Sequence, residues 1–170
     1  MMQLRIDEYA SPVGTILLVH DGADHLRALD FGDYEPRMHR LLRLHYGTVE
    51  LTRAPAPTHT RSALARYFEG DFSALNAIPV TTGGTVFQRQ VWSALRTIAA
   101  GQTRTCGALA VQLGSPRAMR AVGLANGANP VAIVVPCHRV IGANGTLTGF
   151  GGGLPRKQWL LEHEGALLRL

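Results

Sequence analysis

Apolar residues in the first half of the chain fall in short runs separated by turn residues. Val13-Gly14-Thr15-Ile16-Leu17-Leu18-Val19 reads as a strand, Asp21-Gly22 as a turn and Leu26 to Phe31 as a second strand, which together predict an antiparallel hairpin. From Pro36 to Tyr46 the residues Met38, Leu41, Leu42 and Leu44 repeat at roughly helical spacing, with arginines on the other side, so a helix is expected there. Thr52 to Thr60 holds two prolines and reads as a loop, after which Ser62 is placed to cap a helix running to about Phe68. Ala77 to Thr82 is read as one more short strand. No motif in this half carries chemistry, and its residues are read as scaffold.

The pattern changes at Thr82-Gly83-Gly84, which divides the chain into segments 1–82 and 83–170. Thr85 is a helix N-cap, and Phe87, Val91, Leu95 and Ile98 form a core-facing stripe ending at Ala99-Ala100-Gly101. Trp92 adjoins the stripe and is read as packing rather than base stacking. Residues Gly107 to Leu113 and Arg117 to Ala125 make two short helices around Gly114-Ser115-Pro116, with Ser115 as cap and Pro116 at the first helical position. Ala118, Ala121, Gly123 and Ala125 would let the second helix approach another surface closely, with Arg117 and Arg120 beside that smooth face. This helix-turn-helix suits a nucleic-acid groove, and the same pattern also serves two ordinary packed helices. A last helix is expected from Leu154 to Glu162.

At 170 residues and 46% hydrophobic, the chain suffices for a real core in one domain or two small ones. Its N-terminus alternates charged with apolar residues, and no apolar stretch approaches a membrane span or a secretory signal, so a cytoplasmic location is the expectation. Cys106 and Cys137 are the only cysteines, too few for a disulfide scaffold or a thiolate zinc cluster. The net charge of +5 is unevenly held: residues 1–84 carry eight arginines against ten carboxylates, and residues 85–170 carry nine basic residues against two glutamates. A second half at +7 fits a polyanion such as nucleic acid, or simply a solubilising surface.

Ile133-Val134-Val135-Pro136-Cys137-His138-Arg139-Val140-Ile141 sets a thiol inside an apolar run, and the proline directs the chain sharply just before the sulfur. A thiol with an ordinary pKa of about 8.5 is mostly protonated at neutral pH, so Cys137 needs a base. His138 is the neighbouring candidate. Adjacent strand residues point to opposite faces, which makes a turn or a bridging water necessary for the two to communicate. An imidazole that takes up a proton benefits from a carboxylate behind it, and the basic half offers only Glu162 and Glu164. The following run, Thr148-Gly149-Phe150-Gly151-Gly152-Gly153, lacks the Lys-Ser/Thr ending of a phosphate loop and instead suits close backbone approach to a flat ligand, with Phe150 as a stacking face. A thiol protease would place its nucleophile and base far apart in sequence, unlike Cys137 and His138. No CxxC or HxxxH spacing occurs, so no metal is expected, and the five histidines of the first half receive no role.

Asn129-Pro130-Val131-Ala132-Ile133-Val134-Val135-Pro136-Cys137-His138-Arg139-Val140 closely resembles the active-site signature of the alkylguanine-DNA alkyltransferases, or methylated-DNA-protein-cysteine methyltransferases. Phe87-Gln88-Arg89-Gln90-Val91-Trp92, Arg117-Ala118-Met119-Arg120-Ala121-Val122-Gly123 and Trp159-Leu160-Leu161-Glu162-His163-Glu164-Gly165 support the likeness in the family's order. It covers residues from about 80 to 168 strongly, and the first 79 loosely through features such as Ser11-Pro12-Val13-Gly14.

The resemblance implies an α+β fold, with an N-terminal α/β ribonuclease-H-like domain and a mainly helical, winged-helix-like domain that holds the DNA-binding and active-site residues. It implies that Cys137 takes the alkyl group from O6-alkylguanine, and O4-alkylthymine where accepted, irreversibly and once per molecule, after the base is flipped out of double-stranded DNA. His138 would be the water-mediated base, Glu164 its carboxylate partner and Asn129 the organiser of the active-site turn. Arg120 would fill the vacated stack from a helix in the minor groove, where Arg117, Ala118, Ala121 and Gly123 also lie. Val140, Phe150, Gly151 and Gly152 would line the guanine pocket. No cofactor and no obligate protein partner are expected, and the chain is expected to act as a monomer. Cys106 stands where the family usually has a tyrosine that meets the flipped nucleotide, and Phe150 where a tyrosine is common, so a roomier pocket tolerant of bulkier alkyl groups is expected. The family also holds lesion sensors in which the cysteine is replaced, and this chain retains it.

Overall fold

A computed structural model describes residues 1–145 and 147–166. The chain divides into two compact units, Met1–Gly83 with Pro130–Val134, and Gly84–Asn129 with the residues from Val135 onward.

The first unit is built on a four-stranded sheet in the order β3-β2-β1-β4. Strand β1 (Met2–Ser11) turns into the antiparallel β2 (Gly14–His20), and β2 pairs antiparallel with β3 (Leu26–Phe31), so the hairpin expected from the sequence is present. β1 itself was not assigned as a strand, although its alternation of charged and apolar residues has the strand period of two. Met2, Leu4 and Ile6 lie on one of its faces and join Leu17, Val19, Ala28, Met38, Leu42 and Leu51 in the core. Helix α1 (Glu35–Tyr46) supplies Met38 and Leu42, and the chain then returns as β4 (Val49–Arg53), parallel to β1. Central β2 is buried from Ile16 through His20 on both faces, which explains its unbroken apolar run.

Three expectations in this unit are corrected. Thr52 and Arg53 complete β4 instead of opening a loop, because the parallel pairing with Arg5 and Ile6 holds them extended. Helix α2 (Thr58–Phe68) begins at Thr58, directly after Pro57, and not at a Ser62 cap. Thr60 lies in its first turn, fully buried, with its hydroxyl 3.1 Å from Nε2 of His20. Residues 77–82 form no strand: a 3-10 turn (Phe72–Ala77) runs into the segment, and only Val80 bridges, parallel to Leu26. Pro79 lacks a backbone donor, so the Leu26 amide bonds to its carbonyl and the Thr81 amide bonds back to Leu26. Pro130–Val134 lies further along the same β3 edge, where the Leu29 amide donates to the Pro130 carbonyl at 3.0 Å and the Ala132 amide to the Leu29 carbonyl at 3.0 Å. An exposed sheet edge is thereby covered by two short segments.

The second unit is helical. Helix α3 (Val86–Leu95) starts on a capping box in which the Thr85 hydroxyl accepts from the Gln88 amide and the Gln88 side chain accepts from the Thr85 amide. Its approach requires Gly84: φ is +87°, and a Cβ there would stand 2.7 Å from Oε1 of Gln88 and 2.9 Å from the Trp92 ring. The helix ends at Leu95, short of Ala99-Ala100-Gly101, because the Thr97 and Ile98 amides bond three residues back, to Ala94 O and Leu95 O. Helices α4 (Cys106–Gln112) and α5 (Met119–Gly127) form the helix-turn-helix. Here too a boundary is corrected: Ser115 and Pro116 belong to the turn, whose Ala118 amide donates to Ser115 O at 2.8 Å, and helical bonding begins only with Val122 to Ala118. Trp92 packs as expected, buried, with its indole N–H donating to Ala125 O at 2.8 Å and tying α3 to α5. A 3-10 turn (Cys137–Arg139) and helix α6 (Leu154–His163) complete the unit, and Arg104 bridges parallel to Val140 beside the turn.

Candidate active site

The local chain path presents Cys137 through two successive tight turns. Pro136 has φ −82° and ψ 66°, the inverse γ conformation, and the Cys137 amide closes that turn by donating to Val135 O at 2.8 Å. The chain then winds through the 3-10 turn, so Cys137 and His138 are not successive residues of an extended strand. Asn129, itself buried, donates from Nδ2 to the same Val135 carbonyl at 2.8 Å. Asn126, on α5, donates from Nδ2 to the Cys137 carbonyl at 3.4 Å, and its Oδ1 is buried with no hydrogen-bond partner among the described residues. Cys137 as a whole is 7% exposed.

His138 is completely buried and its Nε2 lies 2.8 Å from Oε2 of Glu164. Of the two glutamates left open by the sequence, Glu164 therefore faces the imidazole, while Glu162 is exposed and accepts from Gln158. The same carboxylate accepts two bonds from Arg139, from Nε at 2.8 Å and from Nη2 at 3.0 Å, and Arg139 is tied in turn to Ile98 O at 2.6 Å. Burial opposes ionisation of Glu164, but the hydrogen bonds and charges of His138 and Arg139 outweigh it and hold the carboxyl down at about 2. For His138, burial dominates and keeps the imidazole pKa below its ordinary value, against the pull of Glu164 and with the help of the Arg139 and Lys157 charges. A neutral ring whose Nε2 faces a carboxylate carries its proton on Nε2 and leaves Nδ1 as an acceptor. That Nδ1 is buried and has no hydrogen-bond partner among the described residues.

Close approach of Glu164 depends on Gly101, whose φ is +85° and where a Cβ would stand 3.1 Å from the Glu164 carbonyl oxygen. Of the guanine-pocket residues named from the resemblance, Val140 and Gly152 are buried, and Phe150 and Gly151 are half-buried in the loop before α6. Gly152 O accepts from Arg156 at 3.2 Å and Phe150 O from the Gly153 amide at 2.9 Å, which folds this loop back on the start of the helix. Cys106 opens α4 just after Thr105, whose hydroxyl caps the helix. Its thiol lies 3.6 Å from the point a Cβ on Gly123 would occupy, so Cys106 and Gly123 face each other across the two helices. Arg117, Arg120 and Ala121 are exposed, while Ala118 and Gly123 are half-buried.

Sequence reasoning assigned no role to Arg139, Asn126 or Lys157. Lys157 is wholly buried on α6, with Nζ donating to Val140 O. One signal for it was available: among 17 basic residues it is the single lysine. Asn126 had no comparable signal, since an asparagine near a helix end is ordinarily read as a cap.

Comparison with known proteins agrees with this arrangement. A family model described as 6-O-methylguanine DNA methyltransferase, ribonuclease-like domain, matches residues 4–82, and one described as 6-O-methylguanine DNA methyltransferase, DNA binding domain, matches residues 86–166. A methylated-DNA–protein-cysteine methyltransferase of Salmonella typhimurium is 51% identical over 170 residues, covering 99% of each chain. The crystal structure of Mycobacterium tuberculosis O6-methylguanine methyltransferase superposes with a TM-score of 0.78 at 43% identity, covering 97% of this chain and 93% of that one. Mycobacterium tuberculosis OGT in complex with DNA superposes with a TM-score of 0.79 at 40% identity, covering 96% and 92%. The α+β architecture expected from the sequence holds. No helix among the described residues is long and apolar enough to cross a membrane.

Proposed function

This chain belongs to the 6-O-methylguanine DNA methyltransferase family, and from that membership we propose that it repairs alkylated DNA by moving the alkyl group of O6-alkylguanine onto its own Cys137. The observation that carries the assignment to these residues is Nδ1 of His138, without a hydrogen-bond partner among the described residues, one residue from the thiol, on a ring held from behind by Glu164.

The reaction follows from that geometry. A water between the Cys137 thiol and Nδ1 of His138 relays the thiol proton to the imidazole, and the Glu164 carboxylate stabilises the imidazolium so formed. The sulfur attacks the alkyl carbon in line with the carbon–oxygen bond. The sulfur–carbon bond forms as that bond breaks, the electron pair passes to the guanine oxygen, and the proton taken from the thiol is returned to the purine. A thioether is a poor leaving group, so no later step restores Cys137 and each molecule acts once. No cofactor or metal enters the scheme.

The alkylated oxygen lies within the base stack, and in-line attack requires the nucleotide to be extruded. The cost is a few kcal/mol, which contacts along the DNA and a plug in the vacated stack offset. Arg120 is that plug, carried on α5 with Arg117, Ala118, Ala121 and Gly123 against the minor groove. Val140, Phe150, Gly151 and Gly152 receive the guanine, with Cys106 at the rim, and Asn129 holds the turn that aims the sulfur. Residues 1–82 serve as scaffold and residues 83–170 as the DNA-binding and acceptor domain of a cytoplasmic monomer. O4-alkylthymine presents the same alkyl–oxygen bond, and a duplex carrying it tests whether the transfer extends to it.

Intact-mass and peptide analysis after incubation with a methylated-guanine duplex tests the proposal. A gain of about 14 Da, one CH₂, located on the Cys137 peptide is expected from a single nucleophile. Undiminished transfer by Cys137→Ser, or many rounds of demethylation per molecule, would overturn it. With Cys106 and Phe150 in place of tyrosines, a benzyl adduct should be accepted as well as a methyl one, and its strong rejection would count against a roomier pocket.

A further inference from the structure

Four buried side-chain nitrogen or oxygen atoms have no hydrogen-bond partner among the described residues: Nε of Arg5, the Tyr46 hydroxyl, Oδ1 of Asn126 and Nδ1 of His138. The first two belong to the first unit, and the other two to the second, where both side chains are anchored at Cys137. Nδ1 sits on the residue that follows the thiol. Oδ1 sits on the amide whose Nδ2 reaches the Cys137 carbonyl at 3.4 Å. A carbonyl only accepts, so the amide is turned with its nitrogen toward Cys137 O, and Oδ1 is the end without a donor. Burying an acceptor in this way is unfavourable, and two such acceptors at one sulfur point to a donor common to both.

The proposed relay sets a water between the Cys137 thiol and Nδ1. That water takes a hydrogen bond from the thiol and gives one to Nδ1, and its second proton needs an acceptor too, since a buried water makes about three hydrogen bonds. The other groups around the turn are committed. Val135 O already accepts from the Cys137 amide and Asn129, and Cys137 O from the Val140 amide at 3.2 Å and Asn126. Glu164 lies at the Nε2 edge of the ring, away from Nδ1, and holds Arg139 as well. Lys157 of α6 is a donor, already bonded to Val140 O, and Cys106 of α4 faces Gly123. Oδ1 of Asn126 is the buried acceptor that remains.

We propose that Asn126 is the second anchor of the relay water, a positioning residue that accepts from the water proton not in transit. The inference rests on the relay and on Cys137 as its thiol. In that step the S–H bond breaks as the sulfur's proton joins the water oxygen, and one water O–H bond breaks as its proton joins Nδ1, which leaves a thiolate, an imidazolium and an intact water. The remaining O–H bond, directed at Oδ1, never breaks. By fixing it, Asn126 keeps the other proton on the line to Nδ1 and a lone pair toward the sulfur. Asn126 thus does for the water what Glu164 does for the imidazole.

Two measurements test this, neither with DNA. In a crystal structure of the natural chain, one water should lie within hydrogen-bond distance of Sγ of Cys137, Nδ1 of His138 and Oδ1 of Asn126 together. A water bonded to the sulfur and Nδ1 but not to Oδ1, or no ordered water there, overturns the proposal. The second measurement follows carbamidomethylation of the Cys137 peptide by iodoacetamide from pH 5 to 9 in the natural chain, Asn126→Leu, His138→Gln and the double variant. Asn126→Leu keeps the shape and removes the oxygen, so the midpoint of the rate profile should rise by about one pH unit, with a rate roughly tenfold lower on the acid side. In the His138→Gln background the same substitution should change the rate by less than about twofold, because the water then has no base to serve. Equal losses in both backgrounds, as loosening of the Cys137 carbonyl alone would give, overturn the proposal, and so do superimposable profiles of the natural chain and Asn126→Leu. Transfer from a methylated-guanine duplex, measured in parallel, separates this from the proposed function: absent transfer with coupled iodoacetamide losses would remove the repair reading and leave the Asn126 role standing, and full transfer with uncoupled losses would remove the Asn126 role alone.

Discussion

Nε2 of His138 and Oε2 of Glu164 are 2.8 Å apart, and neither side chain reaches solvent. The pair fixes which imidazole nitrogen carries the proton, and so which one is left to serve the thiol. Glu164→Gln keeps the shape and removes the charge, leaving His138 without the anion that stabilises its protonated form and Arg139 without its counter-ion. Single-turnover transfer should slow by about 10- to 100-fold, and unfolding should show a loss of roughly 3 kcal/mol, as expected when one partner of a buried ionic cluster is removed. The folded carboxyl, held at about 2 against an ordinary 4.5, supplies stability that is complete above pH 4.5 and is lost as the pH falls towards 2. Denaturant unfolding between pH 5 and 2 should lose that dependence in the variant.

Asn129 shares the Val135 carbonyl with the Cys137 amide. Asn129→Ala removes one of two donors to that oxygen and leaves the other, so the stability cost should be modest, about 1 kcal/mol. The effect on transfer should be larger, because misplacement of an attacking atom by about 1 Å costs on the order of 100-fold. Equal losses in both measurements would mean that Asn129 only stabilises the fold.

Arg120 is exposed on α5. Arg120→Ala should leave unfolding within about 0.5 kcal/mol of the natural chain. Transfer from duplex DNA should fall at least about tenfold, equivalent to 1.4 kcal/mol, while transfer from the free alkylated base should be unchanged. A matched loss on both substrates would place Arg120 in the chemistry and not in base extrusion.

His20, in the first unit, provides a control that takes no part in the chemistry. Buried in β2 with Nε2 3.1 Å from the Thr60 hydroxyl, its pKa is pushed down to about 4 by burial first and by the charge of Arg5 next. A depressed histidine contributes stability that is full above pH 6.5 and is lost as the pH falls towards 4, in total on the order of 3 kcal/mol. His20→Gln should flatten the stability curve across that interval without altering the rate of transfer per folded molecule. A curve of unchanged slope would show that His20 stays uncharged, or charges, alike in both states.

Residues whose partners are close in sequence were the legible ones. Thr85 and Gln88 form a capping box three residues apart, the β2–β3 hairpin turns at Asp21, and α1 and α6 follow their apolar spacing closely. Boundaries set by distant partners were not. Thr58 and Thr60 are helical where prolines suggested a loop, with Thr60 meeting His20 forty residues away, and β4 is extended because β1 pairs with it. Within the site, Cys137 and His138 were visible as an interruption of an apolar run. The choice between Glu162 and Glu164 depended on which side of α6 faces inward, and their positions at the very end of that helix left the spacing undecided. Lys157 could be recognised as unusual only through the arginine preference of the rest of the chain.

The β3 edge carries a lesson for dissecting this molecule. Pro130–Ala132 occupies that edge through the Leu29 amide and carbonyl, only a few residues upstream of the sulfur. A fragment starting at Gly84 would keep every group assigned to the chemistry, yet it would strand this ribbon of backbone without its docking partner and unmoor the loop that aims the nucleophile. The two halves are stitched together by the polypeptide doubling back, and genetic separation at residue 83 should yield a sluggish, protease-sensitive product unless the missing half is added in trans.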